Sequence, residues 1–147
     1  MSYLVDTDVC IAMLRGRSSW VRRRLEETLS RNELVFTSAV TRFELWSGIE
    51  MGDGRPAQVE DLEDLGRLVP VLPWVDGDAR VAAKVRAALR RQGTAIGPYD
   101  LLIGAQALAR GLTLVTNNAR EFGRIEGLRT ANWLNQPAGP RGRSVGS

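Results

Sequence analysis

The chain has 147 residues, one cysteine and no histidine, and these counts exclude several classes of protein. A length near 150 residues predicts a single domain. The lone thiol of Cys10 rules out a disulfide framework within the chain. Without histidine there is no Ser–His–Asp triad or Cys–His nucleophile, and a structural zinc site lacks its ligands. An enzyme of this composition must therefore work with carboxylates, hydroxyl groups, arginine or a hard metal ion.

The charge is nearly balanced, because 20 basic residues face 17 acidic ones and the net charge is +3. Lys84 is the only lysine, so the remaining bases are arginines, whose planar guanidinium suits phosphate. A polyanionic partner is compatible with this bias. The opening residues lack the pattern of a secretory signal, and no apolar stretch approaches the roughly 20 residues of a membrane span. We therefore expect a cytoplasmic protein without a membrane partner.

Strands and helices are predicted to alternate in the first half of the chain. Short apolar runs predict strands, and apolar residues at helical spacing predict helices. We place strands at 3–5 and 34–36, and helices at 9–14 before Gly16, from Ser18 or Ser19 past Leu29, and at 38–52.

The second half continues this alternation and ends in a polar segment. The segments in chain order are a helix through 59–68, an edge strand or loop at 69–74, a helix from Asp76 or Asp78 to about Gly93, an apolar helix at 99–110, and strands at 112–115 and 130–134. The strands are apolar throughout rather than alternating, which predicts a parallel sheet covered by helices on both faces. We therefore expect one α/β domain over residues 1–135 and a disordered tail at 136–147.

Two polar positions directly follow predicted strands. Asp6 ends the first strand, and Asn117 and Asn118 follow the strand at 112–115. Ligands of open α/β sheets bind beyond the carboxyl ends of the strands, so these side chains are candidates for a site. Asp6 could instead cap the next helix, but Asp8 is the better candidate for that cap.

Two further acids stand in apolar helical surroundings. Glu44 either completes a capping box with Thr41 or, if the helix starts at Ser38, lies in its second turn and needs a partner. Asp100 either caps its helix or heads it as a functional acid. Gly48 and Gly104, each one turn beyond an acid, would leave the space in front of it open.

A shared cation explains these acids most economically. Carboxylates that converge at one edge of a sheet repel one another and raise each other's pKa values. A divalent cation removes that repulsion, and oxygen ligands select Mg²⁺ or Mn²⁺. Such a site activates water and neutralises a phosphodiester without histidine.

Four segments, in order along the chain, resemble those of the PIN-domain ribonucleases, in particular the VapC-type toxins of bacterial toxin–antitoxin pairs. The third segment is the most specific, and together they extend from Met1 to about Leu134. The segments are 3–9 (YLVDTDV), 38–48 (SAVTRFELWSG), 96–107 (IGPYDLLIGAQA) and 114–118 (LVTNN) followed by Glu121 and Phe122.

The resemblance implies a three-layer α/β/α PIN-like fold with a mostly parallel central sheet, and endonucleolytic cleavage of RNA with Mg²⁺ or Mn²⁺. It assigns Asp6, Glu44 and Asp100 to the acidic metal-binding pocket. The family often has Asp at the fourth position, where this chain has the neutral Asn118, so Glu121 is a further candidate contributor. The family also implies a homodimer and a small cognate antitoxin. Whether the site holds one metal ion or two is left open.

Several basic and aromatic residues are candidates for contacts with RNA. Each arginine has the alternative of a solvated helix face, and Trp20 and Trp46 are better explained as core or dimer contacts than as stacking platforms. The arginine candidates are Arg15, Arg17, Arg22, Arg23, Arg24, Arg86, Arg90 and Arg91.

Two other interpretations compete with a nuclease. A haloacid-dehalogenase-type phosphatase also opens with Asp-x-Asp, but it needs a Thr where Cys10 stands and a later Lys, and Lys84 falls in mid-helix. A catalytically silent α/β module that binds RNA or a protein, with the acids as helix caps, remains the alternative, supported by the neutral Asn118.

Overall fold

The computed structural model describes residues 1–16 and 19–134. The predicted tail at 136–147, together with Arg17 and Ser18, lies outside the described residues. The strands are β1 (Ser2–Val5), β2 (Leu34–Ser38), β3 (Val71–Leu72), β4 (Thr113–Val115) and β5 (Thr130–Ala131). The helices are α1 (Thr7–Arg15), α2 (Ser19–Ser30), α3 (Ala39–Met51), α4 (Pro56–Leu68), α5 (Asp76–Arg91), α6 (Pro98–Arg110) and α7 (Ala119–Phe122).

The five strands form one sheet in the order β3-β2-β1-β4-β5, and every pairing is parallel. β1 lies at the centre, where Val5 is paired with Thr37 on one side and with Val115 on the other. The carboxyl ends of β1, β2 and β4 therefore meet at one edge, which confirms the predicted parallel sheet.

Consecutive residues of β1 contribute to two separate cores. Val5 packs with Val9 and Leu45 from the helices α1–α4, whereas Leu4 packs with Ile103 and Phe122 from α5–α7. Successive strand side chains point to opposite faces of a sheet, so these helix groups cover opposite faces. This arrangement confirms the three-layer α/β/α fold. In the described part of the chain, no helix has the length and apolar character of a membrane span.

The structure decides between the alternatives at two helix N-termini. Asp6, not Asp8, is the N-cap of α1. Ser38 caps α3 by accepting a hydrogen bond from Val40 N at 3.0 Å, as one interpretation predicted, so the capping box of Thr41 and Glu44 was wrong. The reason is the same in both places, because the first backbone N–H groups of a helix take their partner from the residue before it.

Gly104 has a different task from the predicted one. A Cβ at this position would lie 2.6 Å from Ile125 Cδ1 and 3.1 Å from Phe122 Cδ1. Glycine therefore allows α6 to pack closely against the segment that contains α7, where a methyl group would displace the end of the Ile125 side chain, rather than clearing space before Asp100. Sequence reasoning also missed the short helix α7, which spans four residues.

Candidate active site

Asp6 is held at the carboxyl end of β1 by two hydrogen bonds. Its Oδ1 accepts from Thr7 N at 2.7 Å, and its Oδ2 accepts from the hydroxyl of Thr116 at 2.8 Å. Thr116 directly follows β4, so the two central strands jointly fix this carboxylate. The cap function and the site position therefore belong to the same side chain.

The pKa of Asp6 is raised to about 6. Burial is the main cause, because it penalises the charged form, and the negative charges of Asp100 and Asp8 add to it. The hydrogen bonds from Thr116 and Thr7 act in the opposite direction and offset only part of the increase. Asp6 is thus a buried acid whose negative charge the protein leaves poorly compensated.

Glu44 is connected to Asp6 through Thr7. The Thr7 hydroxyl donates to Glu44 Oε1 at 2.7 Å, and the hydroxyl oxygens of Thr7 and Thr41 lie 3.1 Å apart. Thr7 has one hydroxyl proton, so Thr41 is the donor in the second contact. A Cβ added to Gly48 would have no atom within 4 Å, which confirms that the space one turn beyond Glu44 is open.

Asp100 lies in the first turn of α6, on the other side of the site. Its pKa is also raised to about 6, first by burial and then by the negative charges of Glu121, Glu44 and Asp8. The charge of Asp100 also raises the pKa of Asp6, and the charge of Asp8 raises the pKa of both acids. The fold therefore brings together acids that are far apart in the sequence.

Asn118 and Glu121 form a linked pair beside Asp100. Asn118 Nδ2 donates to Glu121 Oε2 at 2.6 Å, and Glu121 Oε1 accepts from Gly97 N at 2.9 Å. A Cβ at Gly97 would lie 3.6 Å from Asp100 Oδ2 and 4.0 Å from Glu121 Oε1, so the two carboxylates flank the same glycine. Glu121 therefore joins the α7 segment to the start of α6.

Sequence reasoning missed three residues around this site. Thr7 and Thr116 hold the acids by hydrogen bonds, and Asp8 is an exposed acid whose charge contributes to the raised pKa values of Asp6 and Asp100. Their signals were present but weak, since each of these residues lies within three positions of a strand end.

The donor set suits a hard divalent cation. Within the described residues, no arginine or lysine forms an ion pair with Asp6, Glu44, Asp100 or Glu121. Carboxylate oxygens that lack a basic partner are the ligands that Mg²⁺ and Mn²⁺ prefer. Among residues 1–16 and 19–134, no three acidic or thiol side chains form a ready-made metal group.

The two tryptophans of interest have local partners. Trp46 packs against the core on the α1–α4 face, and the Arg42 guanidinium lies 5.5 Å from its ring centroid. Arg23 is placed similarly over Trp20, at 5.4 Å. The core interpretation is confirmed for Trp46. Cys10 is fully buried, and burial raises the pKa of its thiol, so it fills the core as an inert group.

Comparison with known proteins places the chain in one family. The PIN domain family matches residues 3–128. The tRNA(fMet)-specific endonuclease VapC of Shigella flexneri is 35% identical over 133 residues, which make up 90% of this chain and 98% of that protein.

Solved structures agree with this assignment. VapBC2 from Rickettsia felis, bound to a promoter DNA fragment, gives a TM-score of 0.85 at 27% identity, covering 90% of this chain and 99% of the matched chain. DNA-bound VapBC from Salmonella typhimurium gives a TM-score of 0.83 at 34% identity, covering 90% and 98%. The chain therefore belongs to the PIN-domain family and, within it, to the VapC ribonucleases.

Proposed function

We propose that this protein is a divalent-metal-dependent endoribonuclease that acts as the toxin of a toxin–antitoxin pair. The observation that carries the proposal is the convergence of Asp6 and Asp100, each with a pKa raised to about 6, at the carboxyl edge of the sheet without a basic partner among the described residues. Relatives that match nearly the whole chain are named as endonucleases or ribonucleases, which supports the same reaction class.

Asp6, Asp100 and Glu44 are the residues that would hold the ion. When bound, Mg²⁺ or Mn²⁺ supplies Lewis acidity toward water and toward the scissile phosphate. Asp6 is pre-oriented by Thr7 N and Thr116, and Glu44 by the Thr7 hydroxyl. Glu44 Oε2 accepts no hydrogen bond from a described residue, so this oxygen is available to accept a proton from the attacking water.

Asn118 and Glu121 complete the edge of the site. The Asn118 amide donates to Glu121, and its Oδ1 is not engaged by any described residue, which leaves it available to water or substrate. We assign Asn118 a substrate- or water-contacting role, and Glu121 an outer contribution that depends on its bond to Gly97.

The proposal includes the partners of a toxin. RNA is the substrate, a cognate antitoxin is the protein partner, and the chain forms a homodimer in the cytoplasm. Relatives solved as VapBC pairs support the antitoxin. The domain boundary at residue 135 belongs to this proposal too, since the family match extends over 3–128.

A silent binding module is the second candidate, because Asp6 does cap α1 and Asn118 is neutral. Incubation of structured RNA with pure protein and Mg²⁺ or Mn²⁺ separates the two. We expect Asp6→Asn to lower cleavage by at least about 100-fold, as expected when a group that stabilises the transition state is removed, and EDTA to abolish it. Asp76→Asn, an exposed acid of α5, is the matched control and should leave the rate unchanged.

Three outcomes would contradict the proposal, in whole or in part. Cleavage that persists in Asp6→Asn, with the variant folded and the preparation free of other nucleases, would remove Asp6 from the mechanism. Cleavage that persists in EDTA would remove the metal. RNA binding without any cleavage by the wild type would favour the silent module.

A further inference from the structure

A groove with basic residues on one wall runs between α5 and α6, beside the first turn of α6. Its volume is about 510 Å³, and it is lined by Arg86, Leu89 and Arg90 of α5, by Ile96, and by Leu101 and Leu102 of α6. Pro98, the first residue of α6, also lines it, and Asp100 follows two residues later. The groove therefore lies at the same end of α6 as Asp100.

The charge of this groove is unbalanced. Arg86 and Arg90 are four residues apart on α5 and so project from the same helix face. Both are exposed, neither guanidinium forms a hydrogen bond or ion pair with a described residue, and no acidic side chain lines the groove. Two guanidinium groups thus face solvent above an apolar floor.

The arginines of α2 have a different setting. Arg22 donates to Met13 O at 3.4 Å, and the groove beside it contains the acids Glu26, Asp61 and Asp64. Arg23 lies 3.9 Å from Glu27. A polyanion would meet compensating negative charge at α2 and none among the lining residues of the α5–α6 groove.

The wall of the groove nearest the active site is held in place from within that site. Gly97 N donates to Glu121 Oε1 at 2.9 Å, and the Arg124 guanidinium donates to Ala95 O at 2.8 Å. The loop that carries Ile96 is thereby tied to the α7 segment. The groove and the acids consequently have a fixed relative position.

We propose that the α5–α6 groove binds the RNA strand on one side of the scissile phosphodiester, and this rests on the proposed function. Arg86 and Arg90 contact backbone phosphates, since a guanidinium pairs with phosphate through two parallel N–H bonds. Leu89, Ile96 and Leu101 receive the apolar face of a ribose or base. The charge of the groove favours this occupant over an acid-free apolar peptide or a second copy of the chain.

The test compares two double variants with the same change in net charge. Arg86→Gln/Arg90→Gln removes the groove pair. Arg80→Gln/Lys84→Gln removes two basic residues of the same helix that are likewise four residues apart and do not line the groove. Circular dichroism melts should show both doubles folded, because all four side chains are exposed.

The measurements are cleavage of a single-stranded oligoribonucleotide at several salt concentrations and its binding by fluorescence anisotropy. For the groove double we expect KM and Kd to rise about 10-fold and kcat to stay within about twofold. The slope of log Kd against log salt should fall by about 1.4, since each phosphate contact on a single strand contributes about 0.7. The control double should keep the wild-type KM and at least most of the wild-type slope.

The other outcomes overturn the groove proposal, the nuclease proposal or both. If the wild type cleaves RNA and the two doubles are indistinguishable, the groove proposal fails while the nuclease proposal stands. If the wild type does not cleave, the nuclease proposal fails, and the anisotropy alone decides the groove. If the groove double changes the mass by light scattering, or loses antitoxin with RNA affinity intact, the groove is a protein interface.

Discussion

Two nearly inaccessible carboxylates in this protein have opposite electrostatic settings. Asp6 is 3% exposed and Asp78 is 1% exposed. Burial alone would raise the pKa of both. At Asp78 that effect is outweighed by hydrogen bonds from Arg110, from Val75 N and from Gln106, so its pKa is lowered. At Asp6 two hydrogen bonds are insufficient, and the pKa rises to about 6.

The contrast distinguishes a structural carboxylate from a functional one. Asp78 Oδ1 lies 2.9 Å from Arg110 Nε, and this ion pair ties α5 to the end of α6. Asp100 lies at the other end of α6, ten residues before Arg110, which corresponds to about 15 Å along the helix axis at 1.5 Å per residue. The fold supplies a cation for the buried acid at one end of that helix and, among the described residues, none for the acids at the other end. A bound divalent ion would compensate the negative charge of the acids at that end.

The largest effect should come from breaking the compensated region. Arg110→Met would leave Asp78 buried without its cation, and we expect the free energy of unfolding to fall by about 3 kcal/mol. Urea denaturation in EDTA, followed by circular dichroism at about pH 7, measures it. Arg129→Met is the control, since this exposed arginine only donates to Gly111 O, and it should cost less than about 1 kcal/mol. Equal losses would show that Asp78 does not depend on Arg110.

The pH dependence of stability should have opposite signs in the two regions. The folded-state pKa of Asp6 is raised from 3.8 to about 6, so its contribution to stability is complete below about pH 4 and is lost as the pH rises through about 6. In EDTA, the wild type should therefore lose about 2 kcal/mol relative to Asp6→Asn between about pH 4 and pH 7. Asn cannot replace every hydrogen bond of Asp6, but that loss is the same at both pH values. It therefore cancels when the stability difference at about pH 4 is subtracted from the difference at about pH 7.

Asp78→Asn provides the opposite case. The pKa of Asp78 is lowered, so its contribution to stability is present at neutral pH and is lost as the pH falls through the folded-state pKa. The advantage of the wild type over Asp78→Asn should therefore grow as the pH rises. If the stability difference between wild type and variant changed with pH in the same direction for Asp6→Asn and Asp78→Asn, the distinction between the two regions would be contradicted.

The sequence sufficed for the layered fold because its signal is local. Apolar runs without alternation predicted the parallel strands, and the strand ends located Asp6 and Asn118. The grouping of Asp6, Glu44 and Asp100 was inferred from the chemistry of a shared cation and supported by the family resemblance, since nothing in their spacing brings them together. Their roles in catalysis stay predictions.

Sequence reasoning failed where a side chain depends on a distant partner. Asp78 looked like a helix start, and its partner Arg110 lies 32 residues further along the chain. Thr7 and Thr116 looked like ordinary strand-end residues, although Thr116 reaches Asp6 across 110 residues. Gly104 was misinterpreted because the atoms that exclude a Cβ belong to Ile125 and Phe122. Contacts between residues so far apart leave no periodic pattern in the sequence from which they could be predicted.

A cation should stabilise the uncompensated region selectively. Mn²⁺ or Mg²⁺ at about ten times its Kd should raise the free energy of unfolding of the wild type by about 1.4 kcal/mol. Asp6→Asn should show little or no increase, whereas Arg110→Met should keep it, because Asp78 is remote from the acids. Calorimetric melts with and without the ion measure this difference. A similar increase in all three proteins would place the ion elsewhere.

The smallest effect should come from the hydroxyl that joins Asp6 to Glu44. Thr7→Val keeps the N–H group that donates to Asp6 Oδ1 but removes the donor to Glu44 Oε1. Glu44 then loses its fixed orientation, and we expect kcat to fall about fivefold, the equivalent of roughly 1 kcal/mol for one hydrogen bond, with KM unchanged. Thr7→Ser should restore kcat. Thr28→Val removes another buried hydroxyl, which donates to Arg24 O, and should affect stability but not kcat. If Thr7→Ser is as slow as Thr7→Val, the methyl group rather than the hydroxyl positions Glu44.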